Sequence, residues 1–304
     1  MYFAKHETFH IREGWLFKGM AAIKHAEDND ELSTIFLDKD APELLGIGRN
    51  MVRALRFWMQ ATGLAEEGKE KGKTVQKLTP FGKLVWDNDP YLEDDTTLWL
   101  IHHQLVSNPK QASTWFWFFN YYAPISFVDD VALQSLSQWV ITEEPERRVA
   151  ESSLKKDIDC LIRTYLPDER AKTPEYLLES PFARLGILTA VSTGSQNRYH
   201  VNRTTADRIN PLAVLFAMLF AQDKYRSSTN QVRLSQVLQE PTNAGRVFNM
   251  TTAALTEVLA YLEQIHPDLQ VRFERTAGLD QLTLPNVEIE DVLMRCYSSL
   301  LEVA

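Results

Sequence analysis

The chain has 304 residues, of which 44% are apolar, and a formal net charge of −9 at pH 7. Its apolar residues recur in short stripes, with no run near the roughly 20 that a membrane-spanning helix needs. The first residues lack the pattern of a signal peptide. The two cysteines, Cys160 and Cys296, are far apart and lack metal-ligand spacing. These features exclude an integral membrane protein and predict a soluble, cytoplasmic chain of two or three domains.

Charge is unevenly distributed along the sequence. Residues 49–83 carry eight Lys or Arg and three Glu, whereas acidic runs lie at 27–31, 93–95 and 143–146. A uniformly acidic surface repels phosphate, but a basic patch on an acidic protein can bind DNA while the rest of the surface stays soluble. Residues 49–83 are therefore the candidate nucleic-acid contact.

The first predicted helices lead into this basic segment. Apolar spacing predicts a helix over residues 11–26 and a short one over 41–47, with Asp40 as N-cap and Pro42 in its first turn. Gly46 and Gly48 then supply the tight turn that precedes the recognition helix of a helix-turn-helix motif.

The next predicted helix, residues 49–61, is strongly two-sided. At 100° per residue Arg49, Arg53, Arg56 and Gln60 fall within about 60° of one another, beside an apolar arc. Arginine suits both phosphate and guanine edges, and a major groove admits one helix. The alternative is a solvated basic face on an ordinary helix.

A charged hairpin is predicted after the basic helix. A strand starts at Leu64, a Gly-punctuated tip covers 66–73, a return strand covers 74–78, and a closing helix opens at Thr79. This order predicts a winged helix-turn-helix DNA-binding domain over residues 1–88. Its expected double-stranded DNA contacts are Lys18, Arg49, Asn50, Arg53, Arg56, Lys69, Lys71, Lys73 and Lys77.

The middle of the chain, residues 89–188, predicts an aromatic-rich helical domain. Thr96 or Thr97 is expected to cap a helix that ends at Val106, and further helices are expected over 128–141 and 145–165. Seven aromatic rings crowd residues 111–122. They favour a buried hub over a platform on which bases stack.

The last part of the chain, residues 189–304, repeats the order of the first. Residues 189–203 are polar and read as a linker or long loop. The remaining elements predict a second winged-helix-like domain, and the class as a whole is mainly α (α+β). They are helices at 211–225, 234–238 and 251–264, and strands at 269–273 and 281–284 around a turn at Gly278. The long helix carries no Arg or Lys, so this domain is expected to bind a protein partner or form a homodimer. Arg272 and Arg275 in its hairpin could still touch a DNA backbone.

Several motifs together carry a family resemblance that runs from the first residues into the C-terminal domain. They are His6-Glu7-Thr8-Phe9 with Arg12, Trp15, Lys18 and Gly19; the run from Leu45 to Val52; Asp89-Pro90-Tyr91-Leu92-Glu93-Asp94 with Thr97 to His102; Leu154 to Ile158 with Tyr165; and Ser180-Pro181 with Leu185-Gly186. The chain thereby resembles the SspB-like DNA nickase family of the single-strand DNA phosphorothioation system, a bacterial family originally of unknown function.

The resemblance implies a role in anti-phage defence, in which one DNA strand is nicked so that sulfur can replace a non-bridging phosphate oxygen. The implied partner proteins are a cysteine desulfurase, an ATPase and an ATP-pyrophosphatase-like enzyme. Two alternatives stay open: a non-catalytic, sequence-specific DNA-binding adaptor that recruits the modification enzymes, and a winged-helix transcription regulator.

Hydrolysis of a phosphodiester needs an activated water and charge neutralisation at the phosphate, commonly by carboxylate-held Mg²⁺ or Mn²⁺. The sequence contains no established nuclease motif. Asp89, Glu93 and Asp94 are the candidate catalytic and metal-binding carboxylates, with His102 as candidate general base. The alternative is that these acids favour a helix N-terminus and that His102 packs in the core. A weaker second group is His6, Glu7, Arg12 and Glu13, near Lys18.

Overall fold

In a computed structural model the chain is mainly helical with three small antiparallel sheets, which confirms the predicted α+β class. The structure describes residues 1–166, 179–193, 196–224, 230–276 and 279–301. Its contacts group it into two compact units, Met1–Trp117 with Pro124–Val201 and Phe118–Ala123 with Asn202–Ala304. The first unit holds the basic segment, and the aromatic segment is divided at Trp117 between the two units.

The first unit begins with a helix–hairpin module, residues 15–88. Gly14, in the left-handed region at φ 72°, delays the first helix to Trp15, four residues later than predicted. Gly46, at φ 62°, ends the second helix, and Thr79 caps the fourth by accepting from the Gly82 N–H. The elements are α1 (Trp15–Asp28), α2 (Ala41–Leu45), α3 (Arg49–Ala61), β1 (Ala65–Glu70), β2 (Lys73–Leu78) and α4 (Pro80–Asn88).

A helical bundle completes the first unit. Its elements are α5 (Asp95–Val106), α6 (Ser113–Trp117), β3 (Ser126–Phe127), α7 (Asp129–Glu143), α8 (Glu151–Tyr165), β4 (Leu188–Thr193) and β5 (Gln196–Val201). Asp94, rather than Thr96 or Thr97, caps α5 by accepting from the Thr96 N–H. The aromatic segment forms α6 and then a π-helical turn, Phe118–Tyr122, which is grouped with the second unit. Trp115, Trp117 and Phe118 are almost fully buried, which confirms the predicted hub.

The linker predicted over residues 189–203 is wrong, because those described belong mostly to a β-hairpin. β4 pairs with β5, and β5 pairs with β3, giving the sheet order β3-β5-β4. Leu188, Tyr199 and Val201 are buried while Thr189 and Arg198 are exposed. A half-exposed hairpin with a polar outer face has the composition of a loop, which explains the error.

The second unit repeats the helix-and-hairpin order. Its elements are α9 (Pro211–Lys224), β6 (Gln231–Arg233), α10 (Leu234–Gln239), α11 (Ala244–Val247), α12 (Thr252–Ile265), β7 (Arg272–Thr276), β8 (Leu279–Thr283) and α13 (Ile289–Leu301). β6 pairs with β8 and β8 with β7. The turn predicted at Gly278 lies outside the described residues. Among the helices that the structure describes, none has the length and apolar character to cross a membrane.

Candidate nucleic-acid interface

Helix α3 has one buried face and one exposed basic face, at the residues predicted. Val52, Leu55 and Trp58 are buried, and a Cβ on Gly19 of α1 would lie 2.4 Å from Met59 Sδ, so α1 packs tightly on α3. Arg49, Asn50 and Arg53 are exposed on the opposite face. Within the described ranges neither arginine has an ion-pair partner. Both guanidinium groups are therefore available to an external anion.

Arg56, predicted as a third DNA contact, is held inside the module by Glu67 of β1. Its Nε and Nη2 donate to the two carboxylate oxygens at 2.8 and 2.7 Å. Gln76 Nε2 on β2 also donates to Glu67, at 2.8 Å. A fork-to-fork pair neutralises the charge and fixes the plane of the guanidinium. The charge of Arg56 is therefore already matched in this structure, and its predicted contact with DNA would have to compete with Glu67.

Of the four hairpin lysines, two have side-chain partners within the hairpin and two do not. The side chains of Lys71, in the turn after β1, and Lys73, at the start of β2, are exposed and make no hydrogen bond or ion pair in the described chain. Lys69 donates to Thr74 Oγ1 at 2.6 Å. Lys77 pairs with Glu70 at 2.8 Å, and their hydrogen bond raises the pKa of Lys77 and lowers that of Glu70.

Lys18, predicted as a further contact, has a structural partner. Its Nζ donates to the Leu45 carbonyl at 3.1 Å, at the end of α2. Among the predicted DNA contacts, the cations whose side chains make no hydrogen bond or ion pair in the described chain are thus Arg49, Arg53, Lys71 and Lys73. These four exposed cations of α3 and its hairpin are called the basic face.

The carboxylates predicted to hold a metal instead build the turn before α5. Asp89, which is 9% exposed, accepts from the backbone N–H groups of Glu93 and Asp94 at 2.8 and 3.1 Å. Asp94 in turn accepts from the Thr96 N–H at 2.6 Å. Leu92, in this turn, has φ 58°. The acids therefore stabilise a tight turn and a helix N-terminus.

His102, the predicted general base, is fully buried. Its Nδ1 lies 2.8 Å from Tyr165 Oη, and burial holds the pKa of that tyrosine well above its usual value. In the described part of the chain no three His, Cys, Asp or Glu side chains are arranged to hold a metal ion. Asp89, Glu93, Asp94 and His102 thus do not fit a Mg²⁺ or Mn²⁺ centre here, since the oxygens of Asp89 and Asp94 bind backbone N–H groups and the histidine is enclosed.

The second candidate group, around His6, is also mainly structural. His6 is 1% exposed, and its Nε2 lies 2.9 Å from Asp157 Oδ1 on α8. Arg12 stacks over the rings of Phe9 and Trp15 at 5.5 and 5.6 Å. For Glu13, burial raises the pKa.

The charge state of His6 follows from the hydrogen bond at its second ring nitrogen, Nδ1. Burial lowers the pKa of His6, whereas Cys160 and Asp157 act in the opposite direction and would raise it to about 10 if both ring nitrogens could hold a proton. The Thr8 N–H, however, donates to Nδ1 at 3.1 Å. A ring protonated on both nitrogens has no lone pair to accept that bond. We therefore assign the neutral tautomer, in which Nε2–H donates to Asp157.

A family model that describes proteins of unknown function, DUF4007, matches residues 3–297. The chain belongs to the DUF4007 family. Two crystal structures of SspB, one of them magnesium ion-bound, are similar to it: each is 28% identical, with a TM-score of 0.84, and the alignment covers 98% of this chain and 88% of the SspB chain. The predicted SspB-like resemblance is thus confirmed. A comparison with curated proteins gave no match.

Two residues of this DUF4007 chain that matter for the interface were not predicted. Glu67 decides whether Arg56 is available, and Asp157 fixes the segment around His6. Neither has a local signal, because each acts on a residue that is distant in sequence. A paired carboxylate and an isolated one look alike in a sequence.

Proposed function

We propose that this protein binds duplex DNA through the basic face, as the SspB-like component of a DNA phosphorothioation system. Three helices followed by a two-stranded hairpin support the interpretation of residues 15–88 as a winged helix-turn-helix. The observation that carries the proposal is the exposure of Arg49 and Arg53 without acidic partners in the described chain. The likeness to SspB supports the link to phosphorothioation, and with it the partner proteins named above.

The electrostatic argument rests on local rather than total charge. The protein carries a net charge of −9, so its surface as a whole repels DNA, and attraction must come from a concentrated patch. If each of the four cations of the basic face neutralises one phosphate, the slope of log K against log salt should be about −3.6. A protein that contacts many more phosphates would give a steeper slope, so a slope of this size indicates a compact contact.

The binding test uses fluorescence anisotropy with a labelled duplex over a range of salt concentrations. Arg49→Ala with Arg53→Ala should weaken binding and flatten the slope by about 1.8, since two phosphate contacts are lost. The matched control is Lys155→Ala with Lys156→Ala on α8, which removes the same charge from two other exposed positions. Equal effects of the two double variants would show that general charge, and not the basic face, governs binding.

We propose further that the protein nicks one DNA strand so that sulfur can be incorporated, with Mg²⁺ or Mn²⁺ as cofactor. This proposal rests on the likeness to SspB, of which one crystal structure is magnesium ion-bound. The described residues contribute no ready three-ligand centre. Mg²⁺ commonly binds one or two carboxylates together with substrate phosphates, so the chemistry of this metal is compatible with a site that DNA completes.

The nicking test incubates supercoiled plasmid with the protein in Mg²⁺, Mn²⁺ or chelator. Open-circle product in either metal, and none with chelator, supports a nickase. If no product forms while duplex binding persists, the protein is a non-catalytic adaptor or a regulator. Glu93→Ala should nick like the wild type because the acidic turn is structural. A loss of nicking in this variant would restore the turn as the catalytic site.

A further inference from the structure

The first residues of the chain form a tightly anchored segment beside α3. In this strap, residues 2–9, the Ala4 N–H donates to Asp157 Oδ1 at 2.6 Å and His6 binds the same oxygen. The Tyr2 N–H donates to Ser113 Oγ at 3.0 Å. The other oxygen of Asp157 accepts from Thr114 at 2.6 Å. One buried carboxylate thus fastens the strap to α6 and α8.

The strap backbone is strained at three positions. Ala4, Glu7 and Thr8 have φ of 54°, 49° and 69°, although none is a glycine. Left-handed backbone is costly for residues with a Cβ, most of all for a β-branched threonine. Such strain persists only where the surroundings over-determine it, and it concentrates at ligand clamps and active sites. The strain at Ala4, Glu7 and Thr8 therefore marks the strap as a candidate wall of a ligand site.

The strap forms one wall of a cleft of about 400 Å³. Tyr2, Lys5 and Glu7 line the strap side, and α3 supplies the opposite side. The remaining lining residues, from α3, β1 and the segment before α6, are Arg53, Arg56, Phe57, Gln60, Glu67 and Gln111. Arg53 belongs both to the cleft and to the basic face, so a DNA strand on that face would pass its opening.

The lining combines aromatic surface with amides. Tyr2 is 47% exposed and Phe57 is buried, and Lys5 Nζ lies over the Tyr2 ring at 5.8 Å. Gln111 Nε2 donates to Gln60 Oε1 at 3.3 Å. Rings stack on bases of any sequence, and amides offer the donor and acceptor pair that base edges recognise.

We propose that the strap cleft holds a single unpaired nucleobase of the bound DNA. This inference rests on the proposed DNA binding and adds a second mode of contact to it. The volume admits one base and excludes a duplex. Glu7 and Glu67 in the lining disfavour a bare phosphate, whereas a neutral base with its phosphate towards Lys5 and Arg53 suits every group. Enzymes that act on DNA commonly read extruded bases by stacking and by hydrogen bonds to their edges.

The test compares three labelled DNAs by anisotropy with the full chain. They are a plain duplex, the same duplex with a one-nucleotide bulge, and its single strand. The bulged duplex should bind about fivefold tighter or more than the plain duplex, the lower end of what one stacked base contributes. A 2-aminopurine placed in the plain duplex tests whether the protein extrudes a base. Its emission should change when it leaves the base stack for the cleft, and unchanged emission shows that the base must already be unpaired.

Two cleft variants locate the effect. Tyr2→Ala and Gln111→Leu should lose the preference for the bulge yet keep the affinity for plain duplex, and Tyr2→Phe should retain the preference. Gln134→Leu, at an exposed position on α7, is the matched control. A bulge preference that survives in both cleft variants would overturn this location.

The outcomes also separate this inference from the proposed function. If the wild type binds plain and bulged duplex equally, the base site is refuted and the DNA grip stands. If it binds no DNA at all, the proposed function falls and the base site falls with it.

Discussion

The pair between Arg56 and Glu67 makes the DNA affinity of this protein adjustable by one carboxylate. Arg56 and Glu67 are only 31% and 24% exposed, and the guanidinium donates to both carboxylate oxygens. Glu67→Gln keeps the size and one acceptor oxygen but removes the charge. The guanidinium of Arg56 then carries an unmatched positive charge at the edge of the basic face.

The size of the effect follows from counterion release. One added phosphate contact steepens the slope of log K against log salt by about 0.9. The advantage of Glu67→Gln over the wild type should therefore grow about eightfold for each tenfold decrease in salt. Stability should fall by no more than about 1 kcal/mol, because partly exposed ion pairs contribute little.

The assay is a duplex titration at several salt concentrations with two further variants. Glu66→Gln is the matched control, because Glu66 is the neighbouring residue on β1 and points to the other face of the hairpin. Arg56→Ala should change binding little in the wild type and should abolish the gain of Glu67→Gln. The reasoning is refuted if Glu66→Gln steepens the slope equally, or if Arg56→Ala alone weakens binding as much as Arg53→Ala.

Three further predictions concern stability, each measured by urea unfolding. Gly82→Ala should cost about 3 kcal/mol, because its Cβ would lie 1.9 Å from the Leu64 carbonyl oxygen; Gly68→Ala, with open space around it, should stay within about 0.5 kcal/mol of the wild type. Asp157→Ala should cost about 3 kcal/mol or more, since it leaves three hydrogen-bond donors, at Ala4, His6 and Thr114, without their acceptor. A loss no greater than that of Asp157→Asn would contradict this. For a neutral His6, the stability difference between wild type and His6→Gln should be level from about pH 7 to about pH 9. A His6 whose pKa is raised to about 10 would instead contribute stability that is full below pH 6.5 and lost as pH rises through 10.

The sequence predicted α3 and its hairpin closely because the signals there are local. The apolar arc repeats at helical spacing from Val52 to Met59, and Gly48 immediately precedes the helix. The basic residues project from the face that the apolar arc leaves free. Periodicity alone is therefore enough to orient Arg49 and Arg53 towards solvent.

The partners of charged residues could not be predicted, because they depend on how the chain folds back on itself. Glu67 lies 11 positions from Arg56, and Asp157 lies 151 positions from His6. Helical spacing makes only pairs three or four positions apart visible in a sequence. The metal site predicted at Asp89, Glu93 and Asp94 does not fit the structure for a related reason. A carboxylate that stabilises a turn has the same local sequence pattern as one that holds a metal.

The two units show that a shared order of elements does not carry a shared surface. Helix α12 occupies in the second unit the place that α3 has in the first, yet its exposed positions include Glu257, Tyr261 and Ile265. In its hairpin, Arg275 pairs with Asp280 at 3.2 Å and so is neutralised, as Arg56 is. A helix that presents acid and apolar groups gains nothing from phosphate and repels it. The salt dependence of DNA binding should therefore belong to the first unit, and the prediction that the second unit binds a protein partner stays a prediction.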